Sequence, residues 1–219
     1  MDMKTLVLAA ALALPLAGCN GTESASTPRI LMEGDSISVG YTQYLSIPGA
    51  EIEHAGYCDA APYHQPDDTD DNSEGSAHQA ACIKKWLANG PYAIVHFNAG
   101  IWDLRCGAGT PQDTDLSDYL ENLQTVLDAI RESGAIPIFA TTTPAPEHNG
   151  FCVDNAKVIE YNAAAVQMMR SQGVAVDDLY SAVRPLETQY QIPESVHFKD
   201  SGYQFLGETV SNFMQQIVN

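Results

Sequence analysis

Short apolar runs alternate with helix-period segments along almost the whole of this 219-residue chain, and that alternation leaves few folds open. Residues 30–33, 50–54, 93–98, 136–141 and 174–176 form the apolar runs, several of them apolar on both faces, as strands covered on both sides of a parallel sheet are. Between them, 77–89 carries Cys82, Ile83, Trp86 and Leu87 on one face and stops at Asn89-Gly90-Pro91. Residues 116–133 place Leu116, Leu120, Leu123, Val126, Leu127 and Ile130 at helical spacing and end at Gly134. The pattern recurs over 155–172 and stops at Gly173, and 201–218 closes the chain. Five strands alternating with helices predict a three-layer, flavodoxin-like, doubly wound parallel sheet over residues 29–219, with no internal repeat and no second domain. In such sheets the reactive loops gather at the carboxyl ends of the strands, so the segments after strands one, two and three should share one rim.

The residues before that domain read differently. Residues 1–18 hold a short start with Lys4 and an apolar stretch over 6–16, too short for a permanent membrane span and suited to a cleavable export signal. Its end, Leu16-Ala17-Gly18-Cys19, resembles the bacterial lipobox, which implies cleavage before Cys19 and lipidation of that cysteine. Residues 19–28 are rich in Ser, Thr and Gly and suit a flexible tether. The expected location is therefore the bacterial cell envelope, with the chain held on a membrane through Cys19. Asn20 is compatible with sorting to an outer membrane.

Twenty-eight acidic residues against 10 basic ones give a net charge of −18, which repels nucleic acid and argues against a DNA or RNA partner. Oligomeric state is not readable from the sequence. Once Cys19 is committed to lipid, Cys58, Cys82, Cys106 and Cys152 remain, an even number in an oxidising compartment. Four cysteines allow three pairings. Cys106 and Cys152 fall in loops after adjacent strands three and four, which favours Cys106–Cys152 together with Cys58–Cys82.

The chemistry sits at the two ends of the domain. Gly34-Asp35-Ser36 follows the first strand directly and places a serine hydroxyl at the amino end of a helix, where backbone N–H groups stabilise negative charge. Asp and Ser are also the preferred helix caps, so the tripeptide alone is ambiguous. Near the other end, Glu194-Ser195-Val196-His197-Phe198 sets a carboxylate three residues before a histidine. A serine becomes a nucleophile when a base takes its proton and a third group orients that base. The acidic run Asp67, Asp68, Asp70, Asp71 and Glu74 imitates the start of a calcium loop. Ser73 stands where that loop needs its glycine, however, and Gln79 where it needs its closing glutamate, so a solvated loop without metal is expected.

Together these blocks resemble the SGNH/GDSL hydrolase family over the whole domain from Arg29 onward. The resemblance implies Ser36 as nucleophile, His197 as general base and Glu194 as its orienting group, with Glu in place of the family's Asp. The family's Gly-x-Asn-Asp block is matched by Gly100-Ile101-Trp102-Asp103, so Trp102 fills the position of the oxyanion-binding asparagine. A subgroup with Phe-Asn-x-Gly-x-His-Asp-Leu is similar to Phe97-Asn98-Ala99-Gly100-Ile101-Trp102-Asp103-Leu104. The resemblance also implies an oxyanion hole from the N–H groups of Ser36 and Gly75, and the indole N–H of Trp102 or the amide of Asn98 or Asn72 is available as the side-chain donor. One missing donor typically costs roughly a hundred- to a thousandfold in rate, so a substitute is expected. Asp35, Asn72 and Asp103 are expected on the substrate rim.

The implied activity is hydrolysis of small acyl esters, acetyl above all, on carbohydrate, without metal or organic cofactor. Two other activities fit the same sequence: a lipase, lysophospholipase or thioesterase of the same fold, and a non-catalytic glycan-binding surface lipoprotein.

Overall fold

A computed structural model describes residues 27–59, 72–106 and 114–218. The expected export signal, Cys19 and most of the expected tether lie outside the described residues, as do Asp67, Asp68, Asp70 and Asp71 of the acidic run. Among the described residues, no helix is long and apolar enough to cross a membrane.

Five parallel strands form one sheet in the order β2-β1-β3-β4-β5: β1 (Arg29–Glu33), β2 (Glu51–His54), β3 (Ile94–Phe97), β4 (Ile136–Ala140) and β5 (Ala175–Asp177). This is the doubly wound sheet expected from the alternation. The central strands are buried on both faces: Ile30, Leu31 and Met32 of β1 and Val95 and Phe97 of β3 are all at most 1 % exposed. Edge strand β2 keeps Glu51 and Glu53 outward, where Glu53 pairs with Arg29 of β1 at 2.8 Å.

The helices are α1 (Ser36–Thr42), α2 (Ser76–Leu87), α3 (Ile101–Leu104), α4 (Leu116–Glu132), α5 (Asn155–Ser171), α6 (Leu179–Val183), α7 (Glu187–Tyr190) and α8 (Asp200–Val218). Helices α1 and α8 pack together, and α2, α4 and α5 pack side by side. The predicted strands and long helices lie within one or two residues of those observed. α3, α6 and α7 have at most five residues each, too few for a periodic signal to emerge.

Strand order decides where chemistry can happen. From β1 the chain moves to β2 on one side and then crosses to β3 on the other, so the winding reverses between β1 and β3. Outside the carboxyl ends of those two strands a crevice opens, and both Ser36 and Gly100 follow them directly. Both expected disulfides are present. Cys58–Cys82 fastens the loop after β2 to α2, and Cys106–Cys152 joins the loops after β3 and β4.

Candidate active site

The turn carrying Ser36 is held by backbone capping. Asp35 is the N-cap of α1: its Oδ1 accepts from the N–H of Ile37 at 2.9 Å, and its carbonyl accepts from Val39 at 3.1 Å. The Ser38 hydroxyl donates to the same carbonyl at 2.8 Å and meets His54 Nε2 at 2.6 Å, tying the helix start to β2. Asp35 is therefore a buried cap rather than a substrate-rim residue. Burial pushes its carboxyl up to about 6. One residue before the turn, Glu33 is fully buried with neither carboxylate oxygen hydrogen-bonded, and burial pushes it up to about 8. Nothing in the sequence pattern of β1 marks that acid as special.

His197 arrives from 161 residues away and places Nε2 2.8 Å from Ser36 Oγ. Its loop is closed by backbone bonds. Ile192 N–H donates to the His197 carbonyl at 3.0 Å, Lys199 N–H to Tyr190 at 2.8 Å, and the Gln191 amide to the Pro144 carbonyl at 2.6 Å. Phe151 sets its ring edge-on to the imidazole at a centroid distance of 5.5 Å. Desolvation holds the imidazole below the ordinary histidine range, favouring the neutral base. With Nε2 turned to a hydroxyl proton, the ring's own proton belongs on Nδ1.

The expected orienting carboxylate is not beside that nitrogen. Glu194 is exposed, adopts a left-handed φ of 57°, and is pinned through its backbone carbonyl by the N–H of Gly150 at 3.3 Å. The oxygen near Nδ1 is Ser195 Oγ at 3.4 Å, which also accepts the His197 backbone N–H at 3.1 Å. Left-handed backbone at Glu194 turns its side chain outward, a change of hand that residue identity alone does not announce.

The segment before α2 leans on the serine turn through the Ser73 N–H, which donates to the Gly34 carbonyl at 2.8 Å. Gly75 is the N-cap residue of α2 and lies against Trp102 and Asp103; a Cβ there would stand 3.2 Å from Trp102 Cβ. Asp103 is buried and holds α2 by its first turn, accepting from Ser76 N–H at 3.1 Å and from Ser76 Oγ at 2.5 Å. It too lies beneath the rim rather than on it. Asn72 is partly exposed, and its Oδ1 accepts from Glu74 N–H at 2.9 Å.

Of the expected side-chain oxyanion donors, Asn98 is buried and its amide nitrogen donates to the Ala140 carbonyl at 3.0 Å, so it clasps β3 to β4. Trp102 is partly exposed, with the Arg105 guanidinium 3.8 Å above its ring centroid. Arg105 also lies 5.5 Å from the Phe151 centroid, so Trp102, Arg105, Phe151 and His197 form a continuous wall. Arg105 and Phe151 were not foreseen. Each immediately precedes a cysteine of the Cys106–Cys152 bridge, so the pairing itself would have brought them together.

Cys58, His78 and Cys82 are the one grouping of potential metal ligands among the described residues, and both sulfurs are committed to the disulfide.

Comparison with known proteins identifies the family and the fold. Residues 32–205 match the GDSL-like Lipase/Acylhydrolase family. The chain belongs to that family and is an ester hydrolase of the SGNH fold. It is similar in structure to a putative acylhydrolase from Bacteroides fragilis NCTC 9343 at 15 % identity and a TM-score of 0.69, covering 89 % of this chain and 90 % of that one. An acetyl xylan esterase, AlAXEase, aligns at 12 % identity with a TM-score of 0.66, over 84 % of this chain and 98 % of the other. A carbohydrate esterase family 3 protein from Talaromyces cellulolyticus shows 17 % identity and a TM-score of 0.63, covering 87 % and 98 %. By sequence, no curated protein matches the chain.

Proposed function

We propose that the protein is a serine esterase that removes small acyl groups, acetyl in particular, from carbohydrate. The observation that carries this reading is the 2.8 Å contact between Ser36 Oγ and His197 Nε2 at the sheet's switch point. Ser36 attacks the ester carbonyl as His197 takes its proton, and the negative charge formed on the carbonyl oxygen is met by backbone N–H groups. The Ser36 N–H lies in the first turn of α1, where no intrahelical acceptor exists, and Gly75 presents its N–H ahead of α2. As the bond from the acyl carbon to the sugar oxygen breaks, His197 returns the proton to that oxygen and the sugar leaves as its free hydroxyl. Water, activated by the same imidazole, releases acetate. The printed descriptions of two similar structures, an acetyl xylan esterase and a carbohydrate esterase, support the choice of substrate.

Kinetics on p-nitrophenyl acetate and on acetylated xylo-oligosaccharides test the proposal. Ser36→Ala should lower kcat by on the order of 10⁴-fold or more, and a fluorophosphonate probe should label the native chain but not the variant. Full activity in Ser36→Ala would sink the mechanism, and faster turnover of octanoyl than acetyl esters would sink the acyl preference. We further propose that the chain is lipid-anchored at Cys19 in a bacterial envelope, supported by Leu16-Ala17-Gly18-Cys19. Cys19→Ala should move it from the membrane fraction to the soluble periplasmic or secreted fraction.

A further inference from the structure

We infer that Ser195, rather than a carboxylate, is the positioning residue for His197. The inference rests on the proposed function above, because it assigns the third member of that reaction's proton-handling group. Ser195 Oγ is the side-chain oxygen within reach of His197 Nδ1, at 3.4 Å. It is held there by the residue it orients, since the backbone N–H of His197 donates to the same oxygen at 3.1 Å.

A serine two residues before an N–H commonly closes such a turn on its own, so the turn is not the argument. Three further observations are. Glu194, the acid at the family's spacing, is exposed and left-handed at φ 57°, and its carbonyl is fixed by Gly150 N–H. The imidazole is confined by Phe151 from the loop after β4 and by Ser36 from α1, so Nδ1 faces its own loop. Neither neighbour is charged. Arg105 lies behind Phe151, and desolvation is the influence that acts on the imidazole.

The roles divide cleanly. When Ser36 Oγ bonds to the acyl carbon, its proton moves to Nε2 and the carbonyl electron pair moves to oxygen. Nδ1 keeps its proton throughout and donates it as a hydrogen bond to Ser195 Oγ, which holds the tautomer whose Nε2 lone pair faces Ser36. A neutral hydroxyl orients the ring but brings no negative charge to the imidazolium. The base should therefore work at lower pH than one backed by a carboxylate, and with less help to the charged state.

The test compares Ser195→Ala, Ser195→Thr and Glu194→Gln in the full exported domain, with thermal melts to confirm folding. We expect Ser195→Ala to lower kcat roughly ten- to a hundredfold with KM within twofold, a smaller loss than removal of a carboxylate causes. Ser195→Thr should recover most of that loss, and Glu194→Gln should stay within twofold of the native rate. Imidazole ¹⁵N NMR gives a second readout that does not depend on turnover: the Nδ1–H tautomer of His197 should dominate in the native chain and in Glu194→Gln but lose population in Ser195→Ala. Ser195→Ala unchanged in rate and tautomer would overturn the inference, as would a larger loss in Glu194→Gln than in Ser195→Ala. Should Ser36→Ala prove harmless, the proposed function fails, and the tautomer measurement still decides the role of Ser195.

Discussion

Ser36 stands at the end of β1 on a turn flanked by buried Glu33, Asp35, Ile37 and Ser38, whereas His197 sits on a surface loop whose residues 192–194 are all exposed. The serine is placed by the sheet. Its position follows from strand pairing to β2 and β3, an N-cap and the hydroxyl of Ser38, all of them in the buried body of the domain. The histidine is placed by fastenings to distant parts of the chain: Gln191 to Pro144, Phe151 against the ring, and Gly150 to Glu194. The place of Ser36 is thus tied to the buried end of the sheet, whereas that of His197 rests on a few contacts of a surface loop.

That contrast can be broken most forcefully from the serine side. Glu33 is pushed up from 4.5 to about 8 and Asp35 from 3.8 to about 6, both by burial. An acid whose folded pKa is raised contributes stability that is present below its unfolded value and lost as pH rises through the folded one. Between about pH 4.5 and 8 the domain should therefore weaken by on the order of 1 kcal/mol per pH unit from Glu33, and urea midpoints across that range measure it. Glu33→Met should flatten the dependence. A native chain equally stable at pH 5 and pH 8 would show that the turn is not built on a protonated acid.

A smaller effect is expected where the two halves meet. Gly40 of α1 lies under Tyr203 of α8, and a Cβ there would fall 2.2 Å from the ring. Gly40→Ala should cost about 1–3 kcal/mol and reduce turnover, because the helix carrying Ser36 must shift away from the helix that follows His197. On the histidine side, Gln191→Ala removes the clamp to Pro144 and should cost about 1 kcal/mol in melting experiments. Its loss in kcat should exceed what that destabilisation explains; equal losses in both would blur the distinction between the two halves. Last comes the pH profile. Desolvation lowers His197, so the acid limb of kcat/KM should fall below the ordinary histidine value of about 6.5, with the free base lost as pH drops through it.

Much of the architecture was legible in the sequence because burial on two faces leaves a compositional trace. Runs such as Ile30-Leu31-Met32, short and alternating with helical segments, read as strands between two helical layers, and the long helices announce themselves through Leu123, Val126, Leu127 and Ile130. Ser36 and His197 are brought together as their motifs imply. Residues whose roles depend on backbone direction were harder to read. Asp35 and Asp103 look like rim acids by position but are buried because they cap N–H groups of α1 and α2. Glu194 has the right spacing and the wrong hand of backbone. Asn98 has an amide suited to an oxyanion, yet that amide holds two strands together. Spacing records distance along the chain, and these four outcomes were decided by direction in space.

The 161 residues between Ser36 and His197 carry one more consequence. The serine opens the first helix of the domain and the histidine lies in the last loop before the final helix, so no short fragment of the domain contains the pair. A chain still emerging from the ribosome holds the serine and the histidine apart. On the proposed mechanism, hydrolysis needs both ends of the domain in place, so activity would report completed folding.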